Sequence, residues 1–319
     1  MKASEMSSNR AFTEIRIGLV ITSLALLMPG NSFASDEQGF SSPQAAVDSL
    51  KTAVEAKDTN ALRSIFGSGA HGLVSIDVVQ AAAEREMFAR RLTEKVNLVS
   101  ESDSKIALQL GADGWPFPIP LVKQEGNWHF DTEGGTEEVL NRRIGANELG
   151  AIHVCEAYVE AQREYASEDR NGDGVLEYAQ QLRSTSGAHD GLYWSTRAGD
   201  ELSPLGPMVA KAHFEGYRKK TRILADEQSP YHGYYFKILT RQGKRAPGGK
   251  YNYIINRHMI GGFAFAAWPA EWGNTGIMTF IVNQQGKVYQ KNLGKNTSAI
   301  ASALSTYDPD GTWTAAKDE

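Results

Sequence analysis

The first part of the chain changes its hydrophobic spacing once. Apolar residues recur every three or four positions over residues 43–66 and 78–92, which predicts amphipathic helices, and Ser42-Pro43 is a typical helix start. From residue 96 the apolar residues fall into short runs bounded by Gly, Asp and Pro. These runs predict strands over residues 96–99, 105–110, 119–122 and 127–130. Helices followed by an antiparallel meander predict an α+β fold.

The second part repeats this order with a longer helix. Asn147 can cap that helix, and Ile152, Cys155 and Val159 lie on one of its faces at helical spacing. Shorter helices are expected over residues 175–182 and 208–217. After Pro230 the pattern predicts strands over residues 233–240, 251–255, 262–268, 277–282 and 287–290. A long helix packed on an antiparallel meander is again an α+β arrangement.

The first 34 residues have the order of a secretory signal peptide. Basic residues precede an apolar run over residues 17–28, and Pro29-Gly30 and the small-residue pattern ending at Ala34 follow it. As a helix this run would rise only about 18 Å, which is too short for a hydrocarbon core of about 30 Å. We therefore expect cleavage after Ala34, a periplasmic or secreted protein, and no transmembrane segment in the mature chain.

Length and charge narrow the class of protein. A chain of 319 residues favours two domains, which we expect at residues 35–143 and 144–319. With 33 basic and 38 acidic residues the net charge is −5, so no electrostatic footprint for nucleic acid is present. The single cysteine, Cys155, cannot pair within the chain, and its helical position indicates a buried thiol. Stability must come from burial and from any bound metal.

One loop carries the spacing of a calcium site. Residues 169–177 fit D-x-N-x-D-G-x-x-E, the first nine positions of an EF-hand-type loop. At position twelve a Gln replaces the usual bidentate Glu, so we expect weak, structural Ca²⁺ binding with Kd about 10⁻⁴–10⁻³ M. The alternative is an Asx-rich turn that caps a helix from residue 175. The predicted ligands are Asp169, Asn171, Asp173, Val175, Glu177 and Gln180.

Two partial resemblances bear on the fold. Gly126, Trp128, Phe130 and Asp131 match the G-x-W-x-F-D strand of the nuclear transport factor 2-like superfamily, and the first domain resembles its cone of helical hairpin and curved antiparallel sheet. In enzymes of that superfamily the pocket carries Asp/His or Tyr/Asp sets, for which the candidates here are His71, Asp103 and His129. The second domain resembles the soluble part of type II secretion pseudopilins, with a helix, an Asp/Asn-rich loop and a meander.

A third resemblance covers nearly the whole mature chain. Ordered motifs run from Trp115-Pro-Phe-Pro through Asn171-Gly-Asp-Gly174, Asp190-Gly-Leu-Tyr-Trp194 and Ser203-Pro-Leu-Gly-Pro207 to Trp268-Pro-Ala270. They resemble the bacterial exported family catalogued as domain of unknown function 2950. That family has no established reaction, so the resemblance supplies no catalytic residue.

The sequence contains no H-E-x-x-H, G-x-S-x-G or C-x-x-C motif. We therefore expect a non-catalytic binding or envelope-interaction protein, with a glycan, a peptide or an envelope protein as partner and the oligomeric state open. The alternatives are a hydrolase or isomerase in the pocket of the first domain and a pilus- or secretion-associated component. Clustered Asp, His and Tyr groups with shifted pKa values in an open cone would favour the enzyme, whereas an apolar or filled cone would favour the binding protein.

Overall fold

Groups of helices and groups of antiparallel strands follow one another in the computed structural model, which describes residues 37–196, 201–217 and 230–316. The expected signal peptide lies outside these ranges. The predicted α+β class is confirmed. No helix within the described ranges is long and apolar enough to cross a membrane.

The first group of elements follows the predicted order. Ser42 caps the first helix, because its Oγ accepts a hydrogen bond from the Ala45 amide at 3.1 Å, and Pro43 occupies the first helical position. The four strands form one antiparallel sheet in chain order. The elements are α1 (Pro43–Glu55), α2 (Thr59–Phe66), a 3₁₀ helix (Gly67–Leu73), α3 (Val78–Glu94), β1 (Val96–Ser102), β2 (Lys105–Leu110), β3 (Trp115–Gln124) and β4 (Asn127–Phe130).

Aromatic rings fill the space between these helices and their sheet. The Phe130 ring is buried, and its centroid lies 5.3 Å from that of Phe66, 6.4 Å from that of Phe40 and 6.5 Å from that of Phe117. Edge-to-face and tilted contacts of this kind stabilise apolar cores. The interior of this half of the described chain is therefore packed with side chains.

A single helix, α4 (Thr132–Tyr165), connects the two halves of the chain. At 34 residues it is about 51 Å long. The Asp131 carboxylate caps it by accepting a hydrogen bond from the Gly134 amide at 3.0 Å. Gly135 allows close packing on the sheet, since an added Cβ would lie 2.8 Å from the Ile119 Cα atom.

The predicted start of this helix at Asn147 is wrong. Asn147 is buried in the middle of α4, where its amide donates to the Thr275 carbonyl at 2.9 Å and accepts from the Gln80 amide at 2.8 Å. The Asn147 side chain therefore makes tertiary hydrogen bonds instead of capping the helix. The helix also passes through residue 143, where the domain boundary is expected, and that boundary stays a prediction.

The second group of elements forms a five-stranded antiparallel sheet and two small hairpins. The elements are α5 (Gly206–Phe214), β5 (Tyr234–Leu239), β6 (Arg241–Gln242), β7 (Tyr251–Asn252), β8 (Ile254–Ile255), β9 (His258–Met259), β10 (Ala264–Pro269), β11 (Met278–Asn283), β12 (Tyr289–Asn292), a 3₁₀ helix (Gly294–Asn296), α6 (Thr297–Ser302) and β13 (Thr314–Ala315). The sheet order is β13-β12-β11-β10-β5, and the rings of Tyr158 on α4 and Phe265 on β10 stack at 4.0 Å.

The helix predicted over residues 175–182 does not form. The Tyr178 amide donates to the Met259 carbonyl at 2.9 Å, and the Ala179 amide donates to the Gln162 side chain at 2.8 Å. Partners distant in sequence therefore take the backbone groups that a helix would pair locally.

One buried carboxylate joins the two halves of the chain beside α4. Asp77 is only 3% exposed, and its Oδ1 caps α3 by accepting from the Val79 and Gln80 amides at 3.1 and 3.2 Å. Its Oδ2 accepts from the Tyr217 hydroxyl at 2.7 Å and from the Gly233 amide at 3.1 Å. Asp77 therefore has a local role in α3 and a tertiary role between the two halves.

We predict that Asp77→Ala lowers the free energy of unfolding by about 3–5 kcal/mol, because it removes a cap and leaves two buried donors without partners. The matched control is Asp58→Ala, which removes the exposed cap of α2 and should cost about 1 kcal/mol. Urea unfolding of both variants gives the comparison. Equal losses would contradict the tertiary role of Asp77.

Candidate functional site

The acidic loop begins just after α4 ends at Tyr165. The Asp169 carboxylate accepts hydrogen bonds from the amides of Gly172 and Gly174 at 2.8 Å and from that of Asp173 at 3.2 Å. Gly172 and Gly174 have φ of 75° and 85°, a region that favours glycine. These amide hydrogen bonds, first that from Gly174, hold the pKa of Asp169 below its ordinary value. The loop is thus shaped by Asp169 and its own backbone.

Three side chains from two distant segments converge beside this loop. One ligand atom from each of Asp173, Glu177 and His258 lies within 4.8 Å of the others. His258 Nδ1 is 3.5 Å from Asp173 Oδ2 and 3.5 Å from Glu177 Oε2. This nitrogen is buried and has no hydrogen-bond partner. The arrangement could hold a divalent cation through two carboxylates and an imidazole.

The Asn171 side chain already places positive character between these carboxylates. Its Nδ2 donates to Asp173 Oδ2 at 2.9 Å and to Glu177 Oε1 at 2.8 Å. Two carboxylates this close repel one another unless a donor or a cation lies between them. Asn171 therefore marks the position where positive charge is most favourable.

His258 is the first residue after the turn of a tight hairpin. β8 and β9 pair with only Asn256 and Arg257 between them, and both turn residues have positive φ, 51° and 75°. A two-residue turn of this geometry fixes the strand register and therefore the position of the residue that follows it. His258 was not among the residues predicted from the sequence. In the sequence, Asn256 indicates a turn before His258, but it does not indicate which loop the turn packs against.

Three further hydrogen bonds hold the hairpin against the loop. Glu177 Oε2 accepts from the Met259 amide at 3.0 Å, and the Gln180 side chain donates to the Arg257 carbonyl at 2.6 Å. The Met259 carbonyl accepts from the Tyr178 amide at 2.9 Å. Residues 177–180 and the hairpin therefore form one local unit, although Glu177 and Met259 are 82 positions apart.

A buried glutamine anchors this unit to α4. Gln162 is fully buried, and its side-chain amide both donates to the Ala179 carbonyl and accepts from the Ala179 amide, each at 2.8 Å. The same amide donates to the Tyr158 hydroxyl at 2.9 Å. Gln162 lies 17 positions before Ala179 in the chain. Its partner is not recognisable from helical spacing.

The predicted ligands take different places around the site. The structure brings Asn171, Asp173 and Glu177 together. The Asp169 carboxylate instead accepts hydrogen bonds from backbone amides, and the Gln180 side-chain nitrogen donates to the Arg257 carbonyl. The Val175 amide donates to Asp173 Oδ1 at 3.0 Å. Ion binding by this set stays a prediction.

An open cavity of about 580 Å³ adjoins the cluster. Burial, followed by the negative charges of Glu177 and Asp190, which disfavour a phenolate, raises the pKa of Tyr165 to about 12. The cavity thus has negative electrostatic character. Its lining comprises Tyr165, Asn171, Asp173, Glu177, Tyr178, Gln180, Gln181, Asp190, Arg257 and His258.

The other candidate residues lie elsewhere. Asp103 is in the exposed turn between β1 and β2, and His129 is on β4 with its Nδ1 buried and without a hydrogen-bond partner. The side chain of His71 lies outside the part that the structure describes. Cys155 is fully buried on α4, and burial raises the pKa of its thiol, so the thiol keeps its proton.

Comparison with known proteins gives one match. A family model described as "Protein of unknown function (DUF2950)" matches residues 37–316. No curated protein and no solved structure matches the chain. The resemblance to that family is therefore confirmed, while those to the nuclear transport factor 2-like and pseudopilin folds stay predictions.

We predict that Gln162→Leu lowers the free energy of unfolding by about 2–4 kcal/mol, because it leaves the buried Ala179 amide and carbonyl without partners. Gln44→Leu changes an exposed helical glutamine and should cost less than about 0.5 kcal/mol. Chemical denaturation measures both losses. In hydrogen exchange, the Ala179 amide should also exchange faster in Gln162→Leu. An unchanged exchange rate would contradict the anchoring role.

We also predict that the Gly172 and Gly174 amide proton shifts titrate together with a midpoint below 3.8, the ordinary pKa of an aspartate. The carboxylate form of Asp169 is favoured in the folded loop, so its stabilising effect is present above the unfolded pKa and is lost as pH falls through the lower folded pKa. Proton–nitrogen NMR follows the titration. Asp169→Asn should abolish it, and a midpoint at or above 3.8 would contradict the assignment.

Proposed function

This chain belongs to the DUF2950 family, whose description assigns no function, and we propose from its site that it is an exported, non-catalytic binding or envelope-interaction protein. In this proposal a divalent cation between Asp173, Glu177 and His258 fastens the acidic loop to the β8–β9 hairpin. The observation that carries the proposal is the convergence of these three side chains within 4.8 Å.

Electrostatics supports a cation at this position. Asp173 and Glu177 approach each other closely, and the Asn171 amide supplies only a partial positive charge between them. A divalent ion would offset both carboxylates and would take the lone pair of the buried His258 Nδ1. The orphaned nitrogen thus fits the donor set of a metal site.

Calcium is the first ion to consider, because the loop has the spacing of a calcium site. The fit is partial, since Gln180 at position twelve binds the Arg257 carbonyl. Low oxygen-ligand count favours weak affinity, about 10⁻⁴–10⁻³ M. An ion that binds only the folded chain stabilises it by mass action, and Cys155, the only cysteine, leaves the chain without an internal disulfide.

A binding role is favoured over catalysis in the first half of the chain. The rings of Phe40, Phe66 and Phe117 each contact the buried ring of Phe130, which supports a filled interior rather than a substrate pocket. The cavity beside the cluster is instead open and polar, and it offers hydroxyl, amide and carboxylate groups. Such a lining suits a glycan or a peptide, whose polar groups need hydrogen-bond partners.

We predict that 10 mM Ca²⁺ raises the melting temperature of the full chain by about 2–4 °C relative to chelator, as expected for a Kd of about 1 mM. Asp173→Ala should remove most of this rise, because it removes a ligand. Asp48→Ala, which changes an exposed carboxylate on α1, should retain it. Differential scanning calorimetry makes the comparison. Identical transitions in calcium, in other divalent cations and in chelator would refute the cation site.

A further inference from the structure

We infer that the cation site takes a first-row transition metal, of which Zn²⁺ is the probe, in preference to Ca²⁺. The inference rests on the proposed function in that a divalent cation binds between the loop and the hairpin. It goes further by assigning His258 as a nitrogen ligand and thereby the chemical class of the ion.

The geometry around His258 suits a small ion. Ligand atoms 2.0–2.1 Å from a tetrahedral ion lie about 3.4 Å apart. His258 Nδ1 lies 3.5 Å from both Asp173 Oδ2 and Glu177 Oε2. Two of the three ligand-to-ligand distances are therefore close to those around such an ion, and all three lie within 4.8 Å.

The ligand types point the same way. Imidazole nitrogen is a common ligand of Zn²⁺, Cu²⁺ and Ni²⁺, whereas Ca²⁺ takes six to eight oxygen ligands. The bidentate carboxylate of a calcium loop is absent here, because Gln180 stands at position twelve and donates to the Arg257 carbonyl. Two carboxylates and one imidazole are sufficient for a four-coordinate ion whose fourth ligand is water from the cavity.

The unsatisfied state of His258 supports ligation through Nδ1. A buried polar atom without a partner is destabilising, and Nδ1 is such an atom. A metal ion bound to Nδ1 would satisfy it, and so would a hydrogen bond between Nδ1 and one of the two carboxylates. The hairpin orients Nδ1 toward both carboxylates in either case, so metal binding must be tested directly.

The test uses the full chain without a histidine tag. Zn²⁺, Co²⁺ and Ca²⁺ are titrated by calorimetry, and Co²⁺ binding is followed by visible absorption, which reports a four-coordinate site with nitrogen and oxygen ligands. We expect Zn²⁺ to bind at least about tenfold more tightly than Ca²⁺ and to displace it in competition. Because the competition uses the unmodified chain, it does not depend on the folding of any variant.

Two variants identify the nitrogen ligand. His258→Asn replaces nitrogen by a carbonyl oxygen and should weaken Zn²⁺ binding by about tenfold or more while leaving Ca²⁺ binding unchanged or stronger. His153→Asn changes an exposed histidine on α4 and should alter neither affinity. Circular dichroism checks that both variants fold.

The outcomes separate the two proposals. If Ca²⁺ binds more tightly than Zn²⁺, or if His258→Asn binds Zn²⁺ as well as the unmodified chain does, the inference is overturned and the cation site of the proposed function remains. If no divalent cation binds the unmodified chain, both proposals are overturned.

Discussion

The buried pairing of the Gln162 side chain with the Ala179 backbone is the interaction on which the site depends. Its amide satisfies both polar groups of Ala179 at 2.8 Å, as a neighbouring strand would. This fixes the segment that carries Glu177 against the end of α4. Because Glu177 in turn accepts from the Met259 amide at 3.0 Å, the position of the β8–β9 hairpin follows from the same anchor.

The local elements of this fold could be predicted because their causes are local. Ser42 caps α1, and the α3 helix begins at Val78 as its apolar spacing predicts. The start of α4 could not be predicted in this way, since Gly134 and Gly135 disfavour a helix. Packing overrides that preference, because Gly135 allows α4 to approach the Ile119 backbone.

The site was predictable only in the part contained in one loop. The D-x-N-x-D-G-x-x-E spacing identified Asn171, Asp173 and Glu177, which the structure brings together. His258 was not predictable, because its approach depends on pairing between residues 82 positions apart, Glu177 and Met259. The helix predicted over residues 175–182 is wrong for a similar reason, because the Tyr178 amide pairs with the Met259 carbonyl. Sequence spacing reports local periodicity, whereas these backbone groups find distant partners.

Different carboxylates of the acidic loop hold its backbone and face the proposed cation position. The Asp169 carboxylate accepts hydrogen bonds from the amides of Gly172, Asp173 and Gly174. These hydrogen bonds hold the backbone of the loop. The groups that would contact an ion, Asp173 and Glu177, are instead bridged by the Asn171 amide. Rotation of that amide would replace its hydrogens by its carbonyl oxygen and would break the hydrogen bond that this oxygen accepts from the Asp173 amide at 3.2 Å. An ion would then replace the partial positive charge of the amide hydrogens between Asp173 and Glu177, while the hydrogen bonds to Asp169 still hold the loop backbone.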